Sequence, residues 1–436
     1  MMAAIKDGIV VSPNTEVGGI ASKNVISLQG RWQTSAAAYE WAFDKLLPKM
    51  NQHVLACYHP TACSHHLRDY LVSQKVFHFW IAAAQAPGIT KSMHCQEMAV
   101  FRKIMETTPP NIPVLGFWYS GVDPGLDEYT GVGLAGEYGK ITVVSDWASN
   151  FSFLGGCDTA LSASIEGYAK KIASVSPPPL EPDKIYICFD IVESGDAPSY
   201  VQSRQHEIWQ DSKRGAVPIN WSLGPAILDL APPVAKYYYD NATPNDYLYM
   251  AISGAGYCHP FRGLFHKTAD AERNWAAYIE TTSRYLERMR CSVVGVYTDA
   301  WKDYDHKSAN AVLTRFVTGV DALNACVMGM GRDNGIEVDK ANYYSEKDDK
   351  VLISHVMTRW PTDYAEKTKE ENIQWLVEDI ETYAPQMRPG FMHVMALSWA
   401  YTPSDILTVL ERIGEKYCAV TIPQFLRLYK QSNAER

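Results

Sequence analysis

The hydrophobic positions of this chain follow a regular rhythm after residue 184. Short apolar segments of strand length alternate with stretches in which apolar residues recur every three to four positions. The first pattern predicts buried strands, and the second predicts helices with one face against a core. The predicted strands are 185–191, 216–221, 247–252, 292–297, 325–330, 351–357, 391–397 and 418–422. The predicted helices are 201–209, 226–239, 269–290, 310–323, 372–383 and 403–416.

Eight strand candidates separated by helical patterns, within roughly 250 residues, are typical of a (β/α)8-type, TIM-like barrel. One interval, 331–350, carries no helical pattern and predicts a long loop. We therefore expect a distorted barrel.

The residues before this region also alternate between the two patterns. Strands are predicted at 24–28, 54–57, 77–81, 114–117 and 141–144, and helices at 35–49, 64–72, 96–106 and 162–172. Residues 174–182 contain four prolines, which predict a stiff and extended connector. The sequence thus predicts an N-terminal α/β domain at 1–175, a proline-rich linker at 176–183 and the barrel at 184–436.

Composition narrows the class of partner. The 436 residues are 47% hydrophobic and carry a formal net charge of −9, which argues against nucleic acid or an anionic membrane surface as a partner. The 26 tyrosines and 12 tryptophans exceed what a core needs, and ring faces can stack on sugars. The nine cysteines are odd in number and scattered, so no disulfide framework is predicted.

The sequence also allows a prediction of where the protein is located. The first residues show no signal-peptide pattern, and no apolar run is long enough to span a bilayer. We expect a soluble protein, cytoplasmic as written, or secreted or periplasmic if a native leader precedes it.

The stretch 247–260 (YLYMAISGAGYCHP) passes from a predicted strand into a glycine-rich turn. Gly254 and Gly256 permit positive φ or the close approach of another backbone. Tyr257 then stands at the carboxyl end of a strand, where barrels build their sites. Two interpretations stay open: an exposed functional tyrosine, or a tight turn under a buried one.

Acidic and aromatic residues gather at the predicted strand ends. Cleaving a glycosidic bond requires two carboxyl groups on opposite sides of it, one protonated and one ionised. We expect Asp196 and Asp299 to form that pair, with Glu193 as the next candidate. The predicted substrate-binding residues are Trp221, Tyr257, Trp360 and Trp399, which would stack on sugar, and Arg359 and His259, which would bind polar substituents.

Three other patterns carry less weight. Residues 131–136 match GxGxxG, but no buried strand precedes them, as a dinucleotide site requires. Cysteines and histidines crowd into 57–66 without a standard metal-ligand spacing. Asp303, Asp305 and His306 could bind a cation, although a helix N-terminus explains the acids equally well.

Several segments together resemble the GxGYxYP glycoside hydrolase family. They are 214–221 (RGAVPINW), Pro225, 230–232 (LAP), 245–246 and 253–260 (SGAGYCHP), with weaker matches at 67–70, 139–140, 150–152, 388–391 and 426–429. The resemblance covers most of the chain and implies a carbohydrate-active hydrolase. Two departures stand out. His259 occupies the place of the motif's second tyrosine, and 193–197 (ESGDA) replaces an Asp-Gly-Asp-Asn run, keeping only Asp196 as the central acid.

These observations favour a glycosidase that acts on an oligosaccharide or polysaccharide and needs no cofactor. A second hypothesis is a metal-dependent carbohydrate deacetylase or esterase, with Asp196 and either His259 or His306 binding a divalent cation. A third is a glycan-binding protein without catalysis, in which the altered acidic run marks lost chemistry.

Overall fold

The computed structural model contains two separate sheets built from parallel strands. It describes residues 28, 30–59, 66–82, 84, 86, 88–118, 125–157, 159–192, 197–297, 306–329, 344–347, 349–354, 356–357 and 365–435. Among these residues, no helix has the length and apolar character needed to cross a membrane.

The first sheet has four strands in the order β2-β1-β3-β4, all parallel. The strands are β1 Asn51–Cys57, β2 Val76–Phe79, β3 Ile112–Gly116 and β4 Lys140–Val144. The accompanying helices are α1 Ser35–Lys45, α2 Arg68–Ser73, α3 Lys91–Thr107, α4 Glu128–Glu137, α5 Phe151–Leu154 and α6 Leu161–Ala173. The strand predicted at 24–28 lies outside the described residues except for Leu28, which is not in a strand.

A buried lysine joins α3 to β4. Lys140 is 1% exposed, and its Nζ donates to the carbonyl oxygens of Met105, Thr108 and Pro109 at 2.9 Å and of Tyr138 at 3.2 Å. The first three carbonyls lie at or just after the end of α3, and that of Tyr138 lies at the end of α4. Carbonyl groups at helix ends lack partners within their own helix. Burial lowers the pKa of Lys140 to about 7.

The second sheet has ten strands, and nine of them follow the order β10-β11-β9-β8-β7-β6-β5-β13-β12, with β14 on β5. The strands are β5 Ile185–Val192, β6 Ile219–Leu223, β7 Asp246–Met250, β8 Val293–Tyr297, β9 Ala325–Gly329, β10 Tyr344–Lys347, β11 Lys350–Ser354, β12 Val356–Met357, β13 Gly390–Leu397 and β14 Tyr417–Ala419. All pairs are parallel except the β10–β11 hairpin. The helices are α7 Ser199–Gln202, α8 Arg204–Trp209, α9 Ile227–Leu230, α10 Pro232–Asn241, α11 Ala271–Met289, α12 His306–Gly319, α13 Lys369–Thr382, α14 Pro403–Ile413 and α15 Ile422–Ala434.

Each of the eight predicted strands of this region overlaps an observed one, so the mixed α/β class with parallel strands is confirmed. The described strands do not form a closed sheet, because β10 and β12 end the hydrogen-bonded order. The loop predicted at 331–350 was wrong at Tyr344–Lys347, which pairs antiparallel with β11.

The boundary between the two regions is closely packed. The hydroxyl of Tyr168 in α6 accepts a hydrogen bond from Leu248 N at 2.6 Å, and Lys171 Nζ donates to Ala242 O at 2.6 Å. One continuous hydrophobic cluster contains buried side chains of both sheets, among them Leu115 and Ile219. The predicted division at 176–183 stays a prediction, and α6 packs on the region that follows it.

Candidate active site

The carboxyl ends of the parallel strands mark the edge where the sequence predicts a site. Five of the predicted residues lie outside the described part of the chain: Glu193, Asp196, Asp299, Arg359 and Trp360. In sequence, Glu193 directly follows β5, and Asp299 comes two residues after Tyr297, the last residue of β8. The predicted site residues that the structure describes are Trp221, Tyr257, His259 and Trp399, and they show what lies around this edge.

Tyr257 and His259 lie in the turn after β7 and are both buried, at 4% and 1% exposure. The structure thus favours the buried tyrosine among the two interpretations. The buried hydroxyl still has a polar role, because Tyr257 Oη donates to Glu128 Oε1 at 2.8 Å. It also lies 3.5 Å from His259 Nε2. Glu128 begins α4, so side chains of both regions meet at this point.

Aromatic rings surround this contact. The imidazole of His259 stacks on Tyr297, with ring centroids 4.6 Å apart and an interplanar angle of 22°. Tyr129 also packs on this imidazole, with ring centroids 4.9 Å apart and an interplanar angle of 40°. We call Glu128, Tyr129, Tyr257, His259 and Tyr297 the tyrosine cluster.

The two glycines of the turn have different roles. Gly254 has a φ of 101°, a conformation that L side chains rarely adopt. Gly256 has no such φ, but a Cβ atom there would lie 2.5 Å from Ile141 Cγ2 in β4. The prediction of positive φ is thus confirmed at Gly254, whereas Gly256 leaves room for the side chain of Ile141 and not for another backbone.

The turn is fixed from both sides. Tyr257 N donates to Thr142 O at 3.0 Å, and Thr142 N donates to Tyr257 O at 2.9 Å, so β4 pairs with the turn through its backbone. On the other side, Tyr278 Oη donates to Ser253 O at 2.7 Å. Burial raises the pKa of the Cys258 thiol to about 12, so this cysteine stays protonated and is not a nucleophile.

Trp399 is half-buried directly after β13. Its neighbour Ser398 donates its backbone N–H to Val192 O at 3.0 Å, which places Trp399 beside the end of β5. Its ring lies 6.0 Å from that of Tyr200, edge to face. Trp399 therefore lies at the strand ends, where the sequence predicts a ring that stacks on sugar.

Trp221 belongs to the core and not to a sugar-binding surface. It is fully buried, packs edge-to-face on Trp209 at 5.0 Å, and its Nε1 donates to Asp246 Oδ1 at 2.9 Å. The other oxygen of Asp246 accepts from Arg214 Nη1 at 2.5 Å and from both the N and Oγ1 of Thr243. The prediction of sugar stacking fails at this position because no face of the indole is open. Residues that carry the family resemblance, Arg214, Trp221 and Asp246, form a buried polar network instead.

A second buried polar contact lies between β5 and β13. His393 Nε2 and Asp190 Oδ2 are 2.8 Å apart, and both residues are 1% exposed. Asn220 lies opposite Asp190 in the register of β5 and β6, and its Oδ1 accepts from Ile422 N at 2.8 Å. These polar side chains fix α15 and the neighbouring strands below the strand ends.

The weaker motifs have structural explanations in the described residues. Residues 131–136 lie inside α4, where a Cβ at Gly131 would lie 2.3 Å from Trp118, so helix packing requires this glycine. In the cysteine and histidine segment, His59 packs edge-to-face on Trp80 at 5.1 Å, while Cys63 and His65 lie outside the description. No group of three potential metal ligands occurs in the described ranges.

The sequence did not identify Glu128, Tyr129 or Tyr297 as site residues. Tyr297 ends a predicted strand beside Asp299, so its position was a usable signal. Glu128 and Tyr129 are far away along the chain, and only the pairing of β4 with the turn brings them close. A phenol that donates to a carboxylate and faces an imidazole can bind a sugar hydroxyl or transfer a proton.

Comparisons with known proteins agree with this architecture. Residues 183–430 match the model described as "GxGYxYP putative glycoside hydrolase C-terminal domain", and residues 52–156 match "GxGYxYP third domain". A crystal structure of a putative hydrolase from Bacteroides thetaiotaomicron is similar, with a TM-score of 0.70 and 18% identity over 90% of this chain and 69% of that one. At that identity the likeness shows the fold alone. No curated protein matches.

The C-terminal match alone spans more than half of the chain, and it includes the turn, the strand ends and the buried Asp246 network. This chain belongs to the GxGYxYP family.

Proposed function

We propose that this protein is a carbohydrate-active hydrolase that cleaves glycosidic bonds at the carboxyl ends of the strands of its second sheet. The observation that carries the proposal is the tyrosine cluster. The signature Tyr257 meets Glu128 of the first region beside the end of β8, the strand that leads to Asp299. Family membership supports the proposed reaction class, and the cluster supports the proposed location.

We propose further that the second sheet is a distorted barrel. The strands β11 and β12 are separated by one residue in sequence; β11 pairs with β9, and β12 pairs with β13. If 350–357 runs as one strand, it joins the two ends of the parallel order and closes the sheet. The closed sheet would then contain seven strands, and the short β14 pairs with β5 outside that ring.

The proposed catalytic pair is Asp196 and Asp299, with Glu193 as the alternative to Asp196. Their strands, β5 and β8, are three steps apart in the sheet, which is about 14 Å at the usual strand spacing. Glycosidase carboxyl groups lie about 5–9.5 Å apart, so a flat sheet would hold this pair too far apart. Closure into a barrel shortens the distance across the mouth, and the two proposals therefore support each other.

Trp399, which is half-buried, would supply a ring face for the sugar. Tyr257 and His259 are buried, so they would not contact the sugar and would instead position the groups that do. Arg359 and Trp360 keep their proposed roles as substrate contacts. A two-carboxylate mechanism uses no metal, so we propose activity without a cofactor.

The test is mass spectrometry of products after incubation with a panel of oligosaccharides, acetylated ones included. We expect a shortened glycan with the wild type, loss of product in Asp196→Asn and Asp299→Asn, and full activity in the surface control Asp240→Asn. Activity in a folded Asp196→Asn or Asp299→Asn protein would remove that residue from the pair. Loss of acetyl groups that stops with a chelator would instead indicate the metal-dependent deacetylase, and saturable binding without product would indicate a glycan-binding protein.

A further inference from the structure

Trp147 is the one exposed tryptophan among the residues that the structure describes, with 67% of its surface accessible. It lies in the loop between β4 and α5. A single exposed apolar residue is common on protein surfaces, so this indole is distinguished by how it is held and by what surrounds it.

The loop that carries Trp147 is held in place by α7. Trp147 N donates to Ser199 Oγ at 3.0 Å, and Ser199 Oγ donates to Asp146 Oδ1 at 3.2 Å. Two residues on, Ser149 N donates to Gln202 Oε1 at 2.7 Å. Val144 also bridges to Pro198, and α7 begins only three residues after Asp196 in sequence. The backbone that carries the Trp147 ring is therefore held in place, and it lies beside the strand ends.

Polar side chains border the indole. The ring of His66 lies nearly parallel to it, with centroids 6.4 Å apart and an interplanar angle of 21°. His66 Nδ1 lies 3.2 Å from Ser149 Oγ. His66 and Ser149 also line an open depression of about 790 Å³, together with Arg68, Asp69 and Asn150.

This combination fits a sugar ring. A pyranose presents C–H groups on its face, which pack on an aromatic ring, and hydroxyl groups around its edge, which pair with guanidinium, carboxylate and amide groups. An apolar protein partner fits less well, because it would bury Arg68 and Asp69 without providing polar partners for them.

We propose that Trp147 is the stacking platform of a carbohydrate subsite, and that Arg68, Asp69 and Asn150 in the depression bordered by His66 and Ser149 face hydroxyl groups of the same oligosaccharide. The subsite would take one ring of an oligosaccharide whose scissile bond lies at the strand ends. The inference rests on the proposed glycosidase function and names a part of its substrate site in the first region of the chain.

The experiment compares the full chain with Trp147→Ala and with Phe153→Ala, a nearby aromatic control that is 73% exposed in α5. The probes are hexasaccharides of β-1,4-glucose, β-1,4-xylose, β-1,4-mannose, α-1,4-glucose and β-1,4-N-acetylglucosamine. Calorimetry gives Kd, and product analysis gives kcat and KM. We expect Trp147→Ala to weaken binding of the preferred hexasaccharide by about 10-fold or more, as loss of a stacking ring does elsewhere. Its KM should rise with little change in kcat, while Phe153→Ala stays like the wild type.

A matched substrate sharpens the result. An aryl glycoside with a single sugar occupies only the position at the scissile bond, so under this proposal its cleavage should not change in Trp147→Ala. If the wild type cleaves a hexasaccharide and Trp147→Ala binds it equally well, the subsite is refuted and the proposed function stands. If the wild type neither binds nor cleaves any probe, both fail. A Trp147→Ala protein that loses self-association in sedimentation, without an effect on sugar binding, would assign the surface to a protein contact and overturn the proposal.

Discussion

Replacing Gly256 by alanine tests whether the turn after β7 needs a glycine at its contact with β4. The added Cβ would lie 2.5 Å from Ile141 Cγ2, whereas carbon atoms in contact are about 3.5–4.0 Å apart. Ile141 is β-branched, and its side chain has few alternative rotamers. The turn must therefore move away by about 1 Å to restore a normal contact.

Such a movement would stretch the two backbone hydrogen bonds between Thr142 and Tyr257, now 2.9 and 3.0 Å long, beyond the usual limit. Two lost bonds cost about 1–3 kcal/mol. Overpacking of a protein core lowers stability by a similar amount, roughly 1–3 kcal/mol. At about 2–4 °C per kcal/mol for a region of this size, Tm should fall by about 2–12 °C.

The assay is thermal unfolding followed by circular dichroism or calorimetry. Gly167→Ala is the control, because Gly167 lies exposed inside α6 with nothing within 4 Å of an added Cβ. That change should stabilise the protein by about 0.5–1 kcal/mol. The double variant Gly256→Ala, Ile141→Ala should be less unstable than the two single changes predict when added together. A Gly256→Ala protein that melts like the wild type would refute the steric argument.

Three further changes have expected outcomes. Asp246→Asn leaves Arg214 without its buried charged partner, so the free energy of unfolding measured in urea should fall by about 3–5 kcal/mol. The surface control Asp240→Asn should lower it by less than about 1 kcal/mol. Equal losses in the two variants would contradict the role of the buried pair. The pKa of Lys140 is lowered to about 7 from its ordinary 10.5, so the unfolded chain binds more protons in that range and stability should rise with pH. Between pH 7 and 9, the free energy of unfolding of the wild type should rise by about 2 kcal/mol relative to that of Lys140→Met. If the two proteins show the same dependence of this free energy on pH, the lowered pKa of Lys140 is refuted. Tyr257→Phe removes the hydroxyl that contacts Glu128, so kcat/KM on the cleaved glycan should fall about 10-fold or more without a change in overall fold; an unchanged value would exclude the hydroxyl from the reaction.

Most of the second sheet was predictable because its strands are buried and separated by helices. Continuous apolar runs such as 185–191 and 391–397 carry that signal directly in the sequence. The strand Tyr344–Lys347 was missed because three consecutive polar residues, Ser345, Glu346 and Lys347, follow its tyrosine and leave no apolar run. The helix α15 was missed because it directly follows a short strand, although Pro423 and a Thr421–Gln424 capping box mark its start.

The site was only partly predictable for a different reason. Sequence position identifies which residues follow a strand, so Tyr257, His259 and Trp399 could be found. Sequence position does not show which aromatic ring lies in the core. Trp221 was wrongly predicted to bind sugar because the partner of its indole N–H, Asp246, is distant in sequence. Glu128 could not be found at all, since no local pattern links α4 to a turn more than a hundred residues later.

The pairing of Thr142 with Tyr257 also has a consequence for solubility. β4 is an edge strand of the first sheet, and an uncovered edge can recruit strands from other molecules. The turn covers that edge at Thr142, and the bridge from Val144 to Pro198 covers it again near its end. A fragment cut after the proline-rich stretch would expose a fully buried, apolar strand with open hydrogen-bonding groups. Such a fragment should aggregate, so the first region depends on the second to remain a discrete molecule.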